Sequence, residues 1–297
     1  MKAAERGFLL LSSHLGNPNR RPLTTAQLRT LADRSWHLDT RDADREMEIS
    51  DLTALGYGKA MAQRILDLLH QEELLEEYLR IAGKQGCYPI TRVGEDYPLA
   101  VRKRLGLDSP GVLWAKGDAE ILKKPKIALV GSRDIQPDNA CFAQAVGRQA
   151  ARQGYVLVSG NARGSDRAAQ EACLAAGGQV IIVVADSLAE HPQRENVLYL
   201  SEDDYDLEFS AQRALSRNRI IHCLGELVMV AQCSLGTGGT WDGTLRNLRH
   251  GWTPVCCYWD GTDAMKELKA LGAIGVDLDS LGCFEQIHKP QLSFFDQ

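Results

Sequence analysis

A series of short apolar runs, rich in β-branched residues, punctuates the chain beyond residue 125: KIALV, YVLVSG, QVIIVVA, ELVMVAQ and PVCCYW. Each ends in a glycine-rich or polar turn and is followed by a stretch with helical spacing. Strands that are apolar at successive positions, rather than at alternate ones, are buried on both faces. That is the condition of a parallel sheet whose crossovers are helices. Such crossovers are right-handed, so the loops that follow the strands gather along one carboxyl edge, where ligands bind. The pattern predicts an α/β fold: a Rossmann-like parallel sheet with helices on both faces.

The pattern differs before Gly86. LTTAQLRTLADRSW has Thr24 or Thr25 as N-cap and places Leu28, Leu31 and Ala32 on one helical face. DLTALGYGKAMAQRILDLLHQEELLEEYLRIAG spaces Leu68, Leu69, Leu74, Leu75 and Leu79 helically and stops at Gly83. Its LGYGKA segment resembles the turn of a SAM-like or helix-hairpin-helix unit, which can offer backbone amides to a DNA phosphate. A tight interhelical turn accounts for it equally, and that is the reading adopted. The expected organisation is a helical domain over 1–86, a Rossmann-like domain over 87–280 and a tail over 281–297.

A chain of 297 residues, 44% hydrophobic, can bury one sizeable core plus an appendage. Its net charge of −5 excludes attraction to nucleic acid by bulk charge, so any such surface must be a local basic patch. The apolar run at 8–11 is too short for a signal peptide and no stretch approaches a membrane span, which points to the cytoplasm. The eight cysteines are scattered without a C-x-x-C pair and read as reduced core thiols. No metal and no cofactor is expected.

Four segments fall where this architecture places a ligand. After KIALV come Gly131, Ser132 and Arg133: a sharp turn, a hydroxyl and a planar fork that matches phosphate oxygens. After YVLVSG the chain reads Ser159, Gly160, Asn161, Ala162, Arg163, Gly164, Ser165, Asp166, a turn opening a helix whose N-terminus favours an anion. Asp166 would partly cancel that field and reads as a brace or as a partner for a ligand hydroxyl. The third segment, Arg217, Asn218 and Arg219, follows Arg213 and precedes Ile220 and Ile221, as in a helix with charges outward. The fourth, Gly236, Thr237, Gly238, Gly239 and Thr240, follows ELVMVAQ and reads as an anion-cradling nest. It is neither a Walker A loop nor G-x-G-x-x-G. Trp241 beside it can stack on a base if exposed, or pack at a helix start. Each segment alone is a weak motif; together they predict one phosphate-binding rim.

In this order the segments resemble the DNA-processing protein A (DprA, Smf) family of the SLOG superfamily. The family pattern YP-x-x-L, VGSR, SG-x-A-x-G-x-D, RNR-x-I and a Gly/Ser/Thr-rich loop is matched by five stretches. These are Asp96-Tyr97-Pro98-Leu99, Val130-Gly131-Ser132-Arg133, Ser159 to Asp166, Arg217-Asn218-Arg219-Ile220-Ile221, and Gly236 to Thr240. Leu113-Trp114-Ala115-Lys116-Gly117-Asp118 is similar to a further family stretch, and the resemblance covers roughly residues 9–277. It implies a dimeric, non-hydrolytic protein that binds single-stranded DNA and helps load a recombinase. The implied pocket is formed by Gly131, Ser132, Arg133, Ser159, Gly160, Arg163 and the run from Arg217 to Arg219. The chain departs from the family at Val230-Ala231-Gln232, where Glu-Ala is usual, in its glycine-rich loop, and at Gln170, about where a histidine falls. The winged helix of many members is expected to be missing, so the resemblance is read as that of a divergent member.

Near the end, Gln291, Leu292, Ser293, Phe294 and Phe295 are similar to the peptide that bacterial replication proteins dock on the sliding clamp. Two other functions compete with DNA binding. One is a nucleotide-binding sensor that regulates a partner protein, such as the toxin of a defence module. The other is a SLOG nucleotide phosphoribohydrolase, whose GG-x-GT-x-x-E motif lacks its glutamate here, Asp242 standing one position off. No paired carboxylates and no Ser/His arrangement stand out, so the chain is read as no enzyme.

Overall fold

The computed structural model describes residues 1–35 and 46–287. The clamp-like peptide at Gln291, Leu292, Phe294 and Phe295 lies outside them. The chain forms two compact units, one of Met1–Lys116, Leu188–Glu190 and Ser201–Leu207, the other of Gly117–Ser187, His191–Leu200 and the chain from Glu208 onward.

The first unit is built on α1 (Ala3–Ser12), α2 (Thr25–Ser35), α3 (Ile49–Ala54), α4 (Lys59–Leu69) and α5 (Glu72–Lys84). Thr24 caps α2: its hydroxyl accepts from Gln27 N at 3.3 Å while the Gln27 side chain accepts from Thr24 N at 3.0 Å. The expected long helical stretch breaks at His70 and Gln71, which separate α4 from α5. Leu11, Leu23, Leu52, Ile65 and Leu68 form a buried cluster among α1, α3 and α4. Arg20 is buried beside it, its guanidinium donating to the carbonyls of Leu10 and Ser13 and, at 2.7 Å, to Gln71 Oε1.

This unit does not stop at Gly86, the boundary expected from the change of pattern, but continues to Lys116. It takes in β1 (Cys87–Thr91), α6 (Leu99–Leu105) and β2 (Val112–Lys116), with β1 antiparallel to β2 from Cys87↔Lys116 to Thr91↔Val112. The reason is packing: Trp114 of β2 meets Tyr78 of α5 edge-on, with centroids 5.5 Å apart, and Tyr205 at 4.8 Å. The Tyr-Pro motif is structural, since Tyr97 is buried and its hydroxyl donates to Pro110 O at 2.8 Å.

The second unit is the predicted doubly wound sheet. Its strands are β3 (Lys126–Val130), β4 (Val156–Ser159), β5 (Val180–Val183), β6 (Val197–Ser201), β7 (Leu227–Val230), β8 (Val255–Tyr258) and β9 (Ile274–Val276). Between them run α7 (Pro137–Arg152), α8 (Ser165–Ala175), α9 (Ala211–Ser216), α10 (Asn218–Leu224), α11 (Gly239–His250) and α12 (Asp263–Ala270). The strands lie in the order β6-β5-β4-β3-β7-β8-β9 and the pairings along it from β6 to β9 are parallel. The chain winds outward from β3 to β6, returns to β7 beside β3, and winds outward again to β9. The β3–β7 pair is therefore the switch point at which such sheets open a crevice.

The tail expected from residue 281 starts inside this unit. Leu281 and Phe284 are buried, Phe284 N donates to Gln153 Oε1 at 2.9 Å, and its ring meets Tyr155 edge-on. The eight cysteines form no disulfide. Among the described residues no helix is long and apolar enough to cross a membrane.

Candidate functional site

Beyond the carboxyl ends of β3, β4 and β7 the chain leaves the sheet in three turns, and a cavity of about 530 Å³ opens among them. That volume suits a nucleotide-sized group.

The turn after β3 carries Gly131, Ser132 and Arg133. The Ser132 hydroxyl accepts from Asp134 N at 3.2 Å and donates to Asp134 O at 3.0 Å. Gln232, after β7, clamps the same turn: its Oε1 accepts from Gln136 N at 2.8 Å and its Nε2 donates to Asp134 O at 3.2 Å. Arg133 is left exposed on the cavity lining.

The turn after β4 locks onto the first. Gly164 has φ +82°, and a Cβ there would overlap the carbonyl oxygens of Ser132 and Arg133, so glycine is required twice over. Ser165 then donates to Ser132 O from both its amide, at 3.1 Å, and its hydroxyl, at 3.0 Å. Asp166 follows in the first turn of α8, buried, and accepts from Ala162 N at 3.3 Å. Burial raises its carboxyl pKa to about 6, against the opposing pull of the Arg217 guanidinium, the Ala162 and Gly160 amides and Arg133.

The turn after β7 carries Gly236 and Gly238, both at positive φ, and delivers Gly238 as the N-cap of α11 without any side-chain cap. First-turn amides of a helix have no intrahelical acceptor and carry the positive end of its dipole. Gly238, Gly239 and Thr240 line the cavity at that point. The Thr240 hydroxyl donates to Gly131 O at 2.9 Å, which ties this turn to the β3 turn as well.

A fourth wall comes from the segment entering α9 and from α10. Phe209, Ala214, Leu215 and Ile221 give it an apolar face, and Arg217 and Asn218 a polar one. Arg217 is only 8% exposed, and its guanidinium lies flat against Gly160, where a Cβ would overlap it.

Of the residues predicted from sequence, Gly131, Ser132, Arg133, Asp166, Arg217, Asn218, Thr237, Gly238, Gly239 and Thr240 line this one cavity. The others surround it. Ser159 is fully buried, its hydroxyl accepting from Gln170 Nε2 at 2.6 Å, so it supports the wall from behind. Gly160 and Gly164 act through the close contacts described. Arg163 sits outside the lining and pairs with Asp134 at 3.2 Å, both side chains largely in solvent. Arg219 is half-buried on α10, and Gly236 is exposed on its turn. Trp241 is packed away at 8% exposure, which removes it as a stacking surface.

Sequence reasoning did not find Phe209, Leu215 or the bracing amides of Gln170 and Gln232. Gln170 and Gln232 stand where the chain departs from the family pattern, which was the available signal.

The cavity offers two guanidinium groups, a helix N-terminus and hydroxyls, with one buried acid among them. That set can hold a phosphate. Cys233, also on the lining, has its thiol pushed up to about 12 by burial, and buried His222, off the lining, is held down at about 4 by the same cause. Among the described residues no cluster of His, Cys, Asp or Glu can hold a metal ion.

The sequence profile of the family described as DNA recombination-mediator protein A matches residues 89–250. DNA processing protein DprA of Streptococcus pneumoniae (strain ATCC BAA-255 / R6) is 36% identical over 212 residues, 66% of this chain and 71% of the relative. DNA processing protein DprA of Bacillus subtilis (strain 168) is 32% identical over 170 residues, 53% of this chain and 56% of the relative, so the chain spans little more than half of that protein. Among solved structures, the X-ray structure of DprA from Streptococcus pneumoniae superposes with a TM-score of 0.69 at 25% identity, covering 93% of this chain and 95% of the other. DNA processing protein A from Helicobacter pylori, a structure that describes that protein's single-stranded DNA binding mode, gives 0.55 at 25% identity over 65% of this chain and 92% of the other. The switch-point cavity and these matches lead to one assignment: the chain belongs to the DNA recombination-mediator protein A family.

Proposed function

We propose that this protein binds single-stranded DNA at the switch-point cavity, without catalysis, as part of DNA processing or recombination. The observation that carries the reading is the convergence of Arg133, Arg217 and the uncapped N-terminus of α11 on one cavity at the β3–β7 switch point. Family membership and the relatives' names support the same ligand class. A net charge of −5 makes this patch local, so binding rests on few phosphates and is strongly geometry-dependent. Docking to a recombinase or a sliding clamp and assembly as a homodimer belong to the same proposal.

The test is a salt series of oligo-dT binding followed by fluorescence anisotropy. Affinity falls with a log–log slope of about −0.7 per phosphate neutralised. Arg133→Ala makes that slope shallower by about one phosphate and weakens binding to all sequences alike. Unchanged binding in that variant sinks the proposed pocket.

The cavity's size favours one second reading, a mononucleotide bound for regulation of a partner such as a toxin. Titration calorimetry with a panel of nucleotides against oligo-dT separates the two. For the phosphoribohydrolase alternative, Asp242 is exposed and outside the cavity lining, and incubation with nucleoside monophosphates is expected to release no free base.

A further inference from the structure

Among the described residues that line the cavity, Asp166 is the sole acid, and Arg133 and Arg217 are the sole cations. Asp166 is buried on α8, where it accepts from the amides of Ala162 and Gly160 in the β4 turn. Arg217, from the α9–α10 wall, and Arg133, from the β3 turn, act on it through space. The rim charges Asp134 and Arg163 pair with each other in solvent. Bracing the Ala162 amide needs an acceptor and no charge, because an asparagine oxygen accepts the same bond. The negative charge therefore has no structural task, and it opposes whatever anion enters. Burial lifts its pKa only to about 6, so the group is ionised at neutral pH. Two guanidinium groups and a helix N-terminus of about half a charge, less one carboxylate, leave the cavity roughly one and a half positive charges.

We infer that Asp166 sets the charge of the phosphate this cavity accepts, favouring the singly charged diester inside a strand over the doubly charged terminal phosphate of a mononucleotide. The inference rests on the DNA-binding reading above and adds to it the residue that separates a chain from its monomers. Stripping water from an ion costs in proportion to the square of its charge, so a dianion costs about four times as much as a monoanion. Attraction to fixed charges grows only in direct proportion. The positive charge left over beside Asp166 compensates one negative charge and falls short for two. With a neutral residue at this position the cavity would carry about one charge more and would hold a dianion as well.

Titration calorimetry with thymidine 5′-monophosphate and its methyl ester tests this, because the two differ only in the charge of the phosphate. At pH 8 the monophosphate carries about two negative charges and the ester one. Wild-type protein is expected to bind the ester more tightly. Asp166→Asn strengthens the ester about tenfold and the monophosphate about a hundredfold, so the preference shifts on the order of tenfold. An unchanged ratio in that variant, or a wild-type preference for the monophosphate at pH 8, overturns the selection. A pH series on the wild-type protein gives a second test that needs no variant. The ester keeps its single charge between pH 5 and pH 8 (about the range in which Asp166 takes up its proton), so its affinity rises about tenfold as the pH falls. No histidine is among the described lining residues, and the buried Cys233 thiol stays neutral throughout, so the rise belongs to Asp166. A flat profile overturns the inference too. Failure of the underlying phosphate site looks different: Arg133→Ala then leaves both ligands and oligo-dT bound as before, whatever Asp166 does.

Discussion

Among the described residues two arginines lie almost wholly out of solvent, Arg20 at 5% exposure and Arg217 at 8%, and they differ in what surrounds them. Arg20, in the helical unit, is ringed by main-chain acceptors: the carbonyls of Leu10, Ser13 and Leu68, with Gln71 Oε1 completing the set. Its burial lowers its pKa, yet each nitrogen of its guanidinium donates to an acceptor of the protein itself. Arg217, in the sheet unit, lies against Gly160, interacts electrostatically with Asp166 and borders the cavity. Burial of a charge therefore does not mark a binding site. A buried charge on a cavity lining does.

The contrast can be broken at either arginine's neighbourhood. The largest effect is expected at the staple: Arg20→Met leaves buried carbonyls without donors and lowers unfolding stability by about 3 kcal/mol in denaturant melts. Oligo-dT affinity of the folded fraction stays as in wild type. A variant that keeps its stability would show that Arg20 is not the hub described.

An effect of similar size, but reached only as pH rises to about 6, is expected from Asp166. Its folded pKa, raised to about 6 from 3.8, means that the folded protein holds a proton which the unfolded chain releases. This contribution to stability is complete below pH 3.8 and disappears as pH rises to about 6. Asp204, in the helical unit, is also raised to about 6 by burial and contributes in the same direction, so the single variant is needed to separate them. Asp166→Asn retains an acceptor for Ala162 N and removes this site's share. Its stability relative to wild type climbs between pH 4 and 6 by up to about 3 kcal/mol and then levels off. Parallel pH profiles for the two proteins would contradict the assignment.

The smallest effect sharpens the difference between lining and rim. Arg163 pairs with Asp134 in solvent, and such pairs contribute roughly 0–1 kcal/mol. Arg163→Ala is expected to change oligo-dT affinity far less than Arg133→Ala. A loss equal to that of Arg133→Ala would move Arg163 into the binding surface.

What the amino-acid pattern makes legible here follows from burial. In the central strands β3 and β7, IALV and LVMV are buried throughout, so every one of these positions is apolar and the strand is read directly. β1 reads CYPIT with a proline and mixed burial, and β9 is three residues long with Gly275 in its middle; neither carries a periodic signal. The first compact unit runs past the change of local pattern at Gly86 because that change says nothing of the long-range contact between Tyr78 and Trp114. At the site, glycines and arginines after strands announce themselves through their chemistry. Phe209 does not: it stands in a polar stretch, and only the fold brings it onto the same cavity lining as Arg133 and Gly239.

Ser165, Thr240 and Gln232 fasten the turns of three strands to one another through the β3 turn. The rim consequently has its shape before any ligand arrives, and little chain entropy is left to lose on association. Encounter is then governed by diffusion and by the field of a small cationic spot on an anionic body, while the lifetime of a complex depends on how well an incoming strand matches a mould that does not yield.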